Sequence, residues 1–173
     1  MRPDQTEYPP WSKGYVDGVE GSDPIGILQA NTPEYAALVA RLDGDYRYAP
    51  GKWTVKEIVG HVTDAERIFA YRLLCIARND KTPFPGFEQD DYLAASDFND
   101  RALTDLLAEF EAVRLSSILL LRSLPEEAWT RRGTVGGYSA TPRGIAFQLA
   151  GHERHHYRIL RDKYLAPAPQ TTR

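Results

Sequence analysis

Three histidines hold the chemistry that this sequence could perform. His152 and His156 stand four residues apart in His152-Glu153-Arg154-His155-His156. At helical spacing their rings share one face, close enough to reach a common ion. His61, in the middle of an earlier helical pattern, is the candidate third ligand, brought opposite by a second helix. A set of three imidazoles suits one divalent ion, zinc, nickel, iron or manganese, with coordination left open for water or a substrate. An ion bound in that way lowers the pKa of its water or of a thiol, so hydroxide or thiolate forms near neutral pH. The competing reading is a polar core, in which hydrogen bonds or waters satisfy the buried rings without metal.

Other reactive side chains have simpler roles. Cys75 is the sole cysteine, so an intrachain disulfide or a cysteine zinc site is impossible, and its neighbours Leu73, Leu74 and Ile76 suggest a buried, inert thiol. No serine-histidine-acid arrangement is legible, and no catalytic residue is assigned. Glu57 lies one turn before His61 but fits better as part of a capping box, Thr54-Val55-Lys56-Glu57. Asp64, Glu66 and Glu153 fit a solvated helix face or an interhelical ion pair better than a general base. His155 is displaced roughly sixty degrees from His152 around the helix and is expected at the surface.

The elements that must position these residues read as helices. With 173 residues and a hydrophobic fraction of 42%, the chain can bury one full core, and a single domain over 1–173 is expected. A net charge of −3 offers no broad basic surface. Arg131-Arg132 with Arg143 is the one hint of nucleic-acid binding, which is not expected. No apolar run is long enough to span a membrane and no signal region follows Met1, so a cytoplasmic protein is expected.

Residues 1–23 are rich in Pro and Gly but carry Tyr8, Trp11 and Tyr15, which predicts an arm lying against the body. Thr32-Pro33 reads as the start of a first helix with Ala37, Leu38 and Leu42 inside, a shorter piece over Pro24 to Ala30 preceding it. The second helix starts after Thr54 and buries Ile58, Val62, Ala65, Phe69 and Ile76, with His61 on the flank of that stripe. A loop with Phe84, Phe87, Tyr92 and Leu93 runs to about residue 98 and could wall a pocket. The third helix, capped by Asp97 or Asn99, repeats Leu103, Leu106, Phe110, Val113, Ser117, Leu120 and Leu124 in threes and fours, a bundle seam. A glycine-rich loop through Gly133, Gly136 and Gly137 follows. Thr141-Pro142 opens the fourth helix, with Ile145, Leu149, His152, His156, Ile159 and Lys163 inward. The tail 166–173 has nothing to bury and is expected to fray.

Trp53, the Thr54-Val55-Lys56-Glu57 cap, His61-Val62-Thr63-Asp64-Ala65-Glu66-Arg67, Arg114 in the third helix and His152-x-x-His155-His156-Tyr157 together resemble the DinB-like superfamily. The resemblance implies an all-α, up-up-down-down four-helix bundle with an ordered N-terminal arm. It implies a divalent metal on His61, His152 and His156, and frequent homodimers. Relatives include thiol-S-transferases using low-molecular-weight thiols such as bacillithiol, thiol-dependent isomerases and metal-dependent hydrolases. The expected function is therefore a metal-dependent transferase or hydrolase. The alternative is a non-catalytic, dimeric, stress-related binding module whose metal serves structure.

Overall fold

The computed structural model describes residues 2–165. Four long helices form the body: α2 (Pro24–Val39), α3 (Val55–Ala77), α5 (Leu103–Arg122) and α6 (Pro142–Ile159). Shorter pieces flank them: α1 (Lys13–Asp17) in the arm, α4 (Gln89–Ala94) within the 79–98 connection, and a hairpin of β1 (Gly133–Val135) and β2 (Tyr138–Ala140). No described helix is long and apolar enough to cross a membrane.

Helix starts follow local chemistry. The Thr54 hydroxyl accepts from the Glu57 N–H at 3.0 Å, and the Glu57 carboxylate accepts from the Thr54 N–H at 2.6 Å, the reciprocal cap that the sequence predicts. The Thr141 hydroxyl accepts from the Gly144 N–H at 3.0 Å, with Pro142 at the first helical position.

Several starts and faces differ from expectation. Thr32 does not cap a helix. Helix α2 begins nine residues earlier, where Asp23 accepts from the Ile25 N–H and Pro24 takes the first position. Thr32 instead donates to the Leu28 carbonyl at 2.7 Å, and Pro33 sits exposed inside the helix. An interior proline costs about 3 kcal/mol, which burial of Leu28 at about 1.5–3 kcal/mol, with help from Ile25 and Ile27, offsets. In this register Tyr35 and Leu38 are buried and Ala37 faces outward.

Neither Asp97 nor Asn99 caps α5, because Asn99 is engaged elsewhere: its side chain accepts from the Thr54 hydroxyl and donates to Glu57, both at 2.8 Å. The expected glycine loop is a hairpin, turned by Gly136 and Gly137 at φ 58° and 83°. Helix α6 passes into a π turn over Leu160–Tyr164. The extra residue per turn rotates the register, so Leu160 and Tyr164 are buried and Lys163 is exposed. The tail lies outside the described residues.

The bundle has two core clusters that reveal helix direction. Helix α2 runs from the cluster containing Leu28 to the one containing Tyr35 and Val39, and α6 runs the same way, from Ile145 to Leu160. Helices α3 (Val55 to Ile76) and α5 (Leu106 to Leu121) run the opposite way. The order is up-down-down-up, which corrects the up-up-down-down sense implied by the resemblance. The reason is diagonal placement. Helix α3 packs on α5 and α6, and α2 packs on the same two, so consecutive α2 and α3 face each other across the bundle and the connection 40–54 returns the chain to the end that α2 has reached.

The arm is bolted to α6. Buried Glu7 accepts from Thr141 Oγ1 at 2.8 Å and Arg143 Nε at 2.9 Å, and the Glu7 carbonyl accepts from the Thr141 N–H. Arg132 bonds Thr6 and Arg131 bonds the Ala77 carbonyl, so all three arginines of the basic hint are engaged within the chain. Tyr8 is buried and Tyr15 half-buried, whereas Trp11 is 51% exposed. Gly151 admits the arm: a Cβ there would lie 2.1 Å from the Tyr15 carbonyl oxygen. Gly151→Ala is therefore expected to dislodge the arm, read as faster proteolysis before residue 20 with helix content retained.

Candidate metal centre

Antiparallel packing of α3 against α6 brings the three predicted histidines together. His61, His152 and His156 are all buried, and one ring nitrogen from each lies within 4.8 Å of the other two. His61 Nε2 and His152 Nε2 stand 3.1 Å apart. Aromatic walls hold the rings: Trp53 lies 4.9 Å from His61 and near-parallel to His156, while Phe69 and Tyr15 meet His152 edge-on at 5.6 and 5.3 Å.

Burial sets the charge of this cluster. Desolvation, and then His155, drives the His61 pKa down to about 4. His152 and His156 are pushed well below the usual imidazole range by burial first and by their neighbouring rings second. All three rings are neutral at pH 7, each with a lone pair to offer.

The residues fit a divalent ion. Two imidazoles on a tetrahedral ion with metal–nitrogen bonds of 2.0–2.1 Å stand roughly 3.3 Å apart, close to the His61–His152 separation. A hydrogen bond between those two rings would serve only them, and buried His156 Nδ1 has no hydrogen-bond partner. One cation can gather donors that three neutral rings cannot satisfy among themselves.

The carboxylates near the ligands are committed elsewhere. Glu57 is the helix cap. Asp64 pairs with Arg67 at 3.2 Å on a partly exposed face. Glu66 and Glu153 are buried and share Arg114, itself 1% exposed: Arg114 bonds Glu66 through Nε and Nη2 at 2.8 Å each, and Glu153 through Nη1 at 3.1 Å. Burial raises the Glu153 pKa against the pull of Arg114. Arg114 Nη1 also reaches Thr32 Oγ1 at 3.3 Å. His155 is exposed, as expected, with its ring 5.1 Å from that of His156 and its pKa lowered by partial burial. Cys75 is half-buried rather than enclosed, because Leu74 beside it turns outward.

Two neighbouring clefts reach the histidines. One, about 290 Å³, is lined by Tyr48, Lys52, Trp53, His155 and His156. The other, about 430 Å³, is lined by Trp11, His61, Phe69, Phe87 and His152. Tyr15 and Gln89 line both. The aromatic loop thus contributes a wall through Phe87, as expected. Two features were not predicted from the sequence: Tyr15 in the wall of both clefts and the Glu66–Arg114–Glu153 link. The available signal was Arg114 itself, in line with Leu106, Phe110, Ser117 and Leu121 on the buried face.

The DinB superfamily profile matches residues 27–160, most of the chain and all three histidines. The chain belongs to the DinB superfamily. Its fold is similar to YfiT from Bacillus subtilis, described as a probable metal-dependent hydrolase with an unusual four-helix bundle topology (TM-score 0.70, 16% identity, covering 94% of this chain and 90% of that one). It is also similar to a mycothiol-dependent maleylpyruvate isomerase (TM-score 0.68, 15% identity, 88% of this chain), of which it spans 64%. At those identities the likeness concerns the fold. No curated protein matches the sequence at a significant level.

Two measurements probe this centre in the DinB-family chain. The three folded-state histidine pKa values lie below the unfolded value, so the unfolded state binds more protons in acid. Stability of the metal-free protein is full above about pH 6.5 and falls as pH drops toward 4. His61 alone accounts for on the order of 3 kcal/mol, and His61→Gln should flatten that slope in urea titrations. Arg114→Met would leave two buried carboxylates unpaired and should cost about 3–5 kcal/mol of unfolding free energy.

Proposed function

We propose that His61, His152 and His156 hold one divalent ion and that this chain is a metal-dependent enzyme, transferring a low-molecular-weight thiol to a small electrophile or, with water in the thiol's place, hydrolysing it. The convergence of three neutral, buried imidazoles carries this reading. A metal held there would supply Lewis acidity, lowering the pKa of a thiol or water so that the nucleophile exists at neutral pH.

The chain's own residues supply the rest. Trp53, Phe69 and Tyr15 exclude water around the rings and fix their orientation. One cleft is lined by His156 and the other by His61 and His152, which leaves room for a nucleophile and an electrophile and favours a two-substrate transfer. His155, neutral at pH 7 and lining one cleft, can take a proton at a ring nitrogen. A structural site normally closes with four protein ligands. Only three ligand residues converge here among the described residues, which favours catalysis over the non-catalytic binding module. The cytoplasm, where small thiols are abundant, is the expected setting.

Metal analysis of protein purified without an affinity tag tests this reading. Wild type is expected to carry about one equivalent of zinc, nickel, iron or manganese. His152→Ala should lose it, and His155→Ala should keep it while losing thiol-transfer turnover. Less than about a tenth of an equivalent in wild type after reconstitution above pH 7 would overturn the proposal.

A further inference from the structure

Arg72 and Arg114 are both buried, and only one of them has acids to meet it. Arg114, 1% exposed, is shared by Glu66 and Glu153. Arg72, 5% exposed, forms no ion pair among the described residues. Its one hydrogen bond there runs from Nη2 to the Pro85 carbonyl at 2.6 Å, and its guanidinium carbon lies 5.7 Å from the centre of the Phe87 ring. Those contacts fix the group in place and leave its charge unmatched. A buried cation without a counter-ion is costly to keep. Arginine cannot shed the charge, although burial pulls its pKa down.

Its place in the fold says what the missing counter-ion is. Arg72 lines the cleft of about 430 Å³ together with His61 and His152. His61 and Arg72 both lie on α3, about three full turns apart, so they share a face with their backbones about 16 Å from each other. Helical side chains lean toward the N-terminus, which carries the guanidinium back toward the histidines. Phe69, Phe87 and Trp11 give the cleft aromatic walls. With Nη2 partly spent on Pro85, one two-pronged edge of the guanidinium remains, the match for a carboxylate. Glu88 and Asp90 also line the cleft, are exposed and do not pair with Arg72. Their charge opposes a dianion such as phosphate and leaves a place for one negative charge. We propose that Arg72 binds a carboxylate of the substrate, so that this chain acts on small organic acids with an apolar body whose reacting atom lies at the histidine end of the cleft. As a statement about substrate this rests on the metal-enzyme reading, but the anion site itself needs no ion.

Calorimetric titration and side-chain NMR of the full chain, as purified and again after chelation of metal, test it with phenylacetate and its uncharged analogue phenylacetamide. Wild type is expected to bind the acid about tenfold or more tighter than the amide in both states, with the Arg72 Nε–H resonance shifting on addition. Arg72→Met should bring the two ligands to within about twofold of each other. Arg72→Lys, which keeps the charge but not the fork, should restore part of the preference. Thiols then show which reactant carries the acid. Thioglycolate that displaces phenylacetate and outcompetes mercaptoethanol assigns it to the thiol, whereas mercaptoethanol bound alongside phenylacetate assigns it to the electrophile. Equal binding of acid and amide by wild type, a preference that survives Arg72→Met, or tighter binding of inorganic phosphate would each overturn the site. A preference lost with the metal would put the carboxylate on the ion, overturning the site and sparing the metal reading. Acid binding intact in protein that takes up no metal would sustain the site while the metal reading fails. Should Arg72→Met not fold, the acid–amide comparison and the Arg72 resonance in wild type decide.

Discussion

A buried guanidinium cannot remain unpaired, and in this bundle that constraint draws all four helices to one point. Arg114 on α5 bonds Glu66 on α3, Glu153 on α6 and Thr32 on α2. Removing one partner from such a buried network costs about 3–5 kcal/mol, more than a typical surface substitution. The pairing therefore specifies the register between helices as well as holding them together. Glu153 immediately follows His152 in the chain, and Glu66 lies five residues beyond His61 on α3. Locking the two glutamates to one arginine also sets the height at which the histidines meet.

That register explains why the histidines are neutral. With ring nitrogens within 4.8 Å of one another and shielded by Trp53, Phe69 and Tyr15, they cannot share positive charge, and burial outweighs every other influence on them. The same walls leave two approaches. The arm matters here because Tyr15 lines both clefts, and its backbone can touch α6 there because residue 151 has no side chain.

What was legible in the sequence was local. The Thr54–Glu57 and Thr141 caps depend on residues three apart, and the His152–His156 face on residues four apart, so both read directly from spacing. His61 could be assigned inward from its neighbours Ile58 and Ala65. Features decided by distant contacts were not legible. Pro33 reads as a helix start until Leu28 is known to be buried. Helix direction depends on which helices are diagonal, and Asn99 looked like a cap because its partners Thr54 and Glu57 lie far back in the chain. The hairpin carried a usable signal, Gly136-Gly137 between Val135 and Tyr138, a pair suited to a tight two-residue turn.

Three neutral imidazoles converge where one cation would sit with room for a guest. Cobalt(II) absorption spectroscopy tests this most directly. Saturation is expected at about one equivalent of cobalt, with visible bands typical of low coordination, and a new sulfur-to-cobalt charge-transfer band when a small thiol is added. Binding with no spectral response to thiol, water-competing anions or pH would mark a closed site, and failure to bind cobalt at all would contradict a metal centre at these histidines outright.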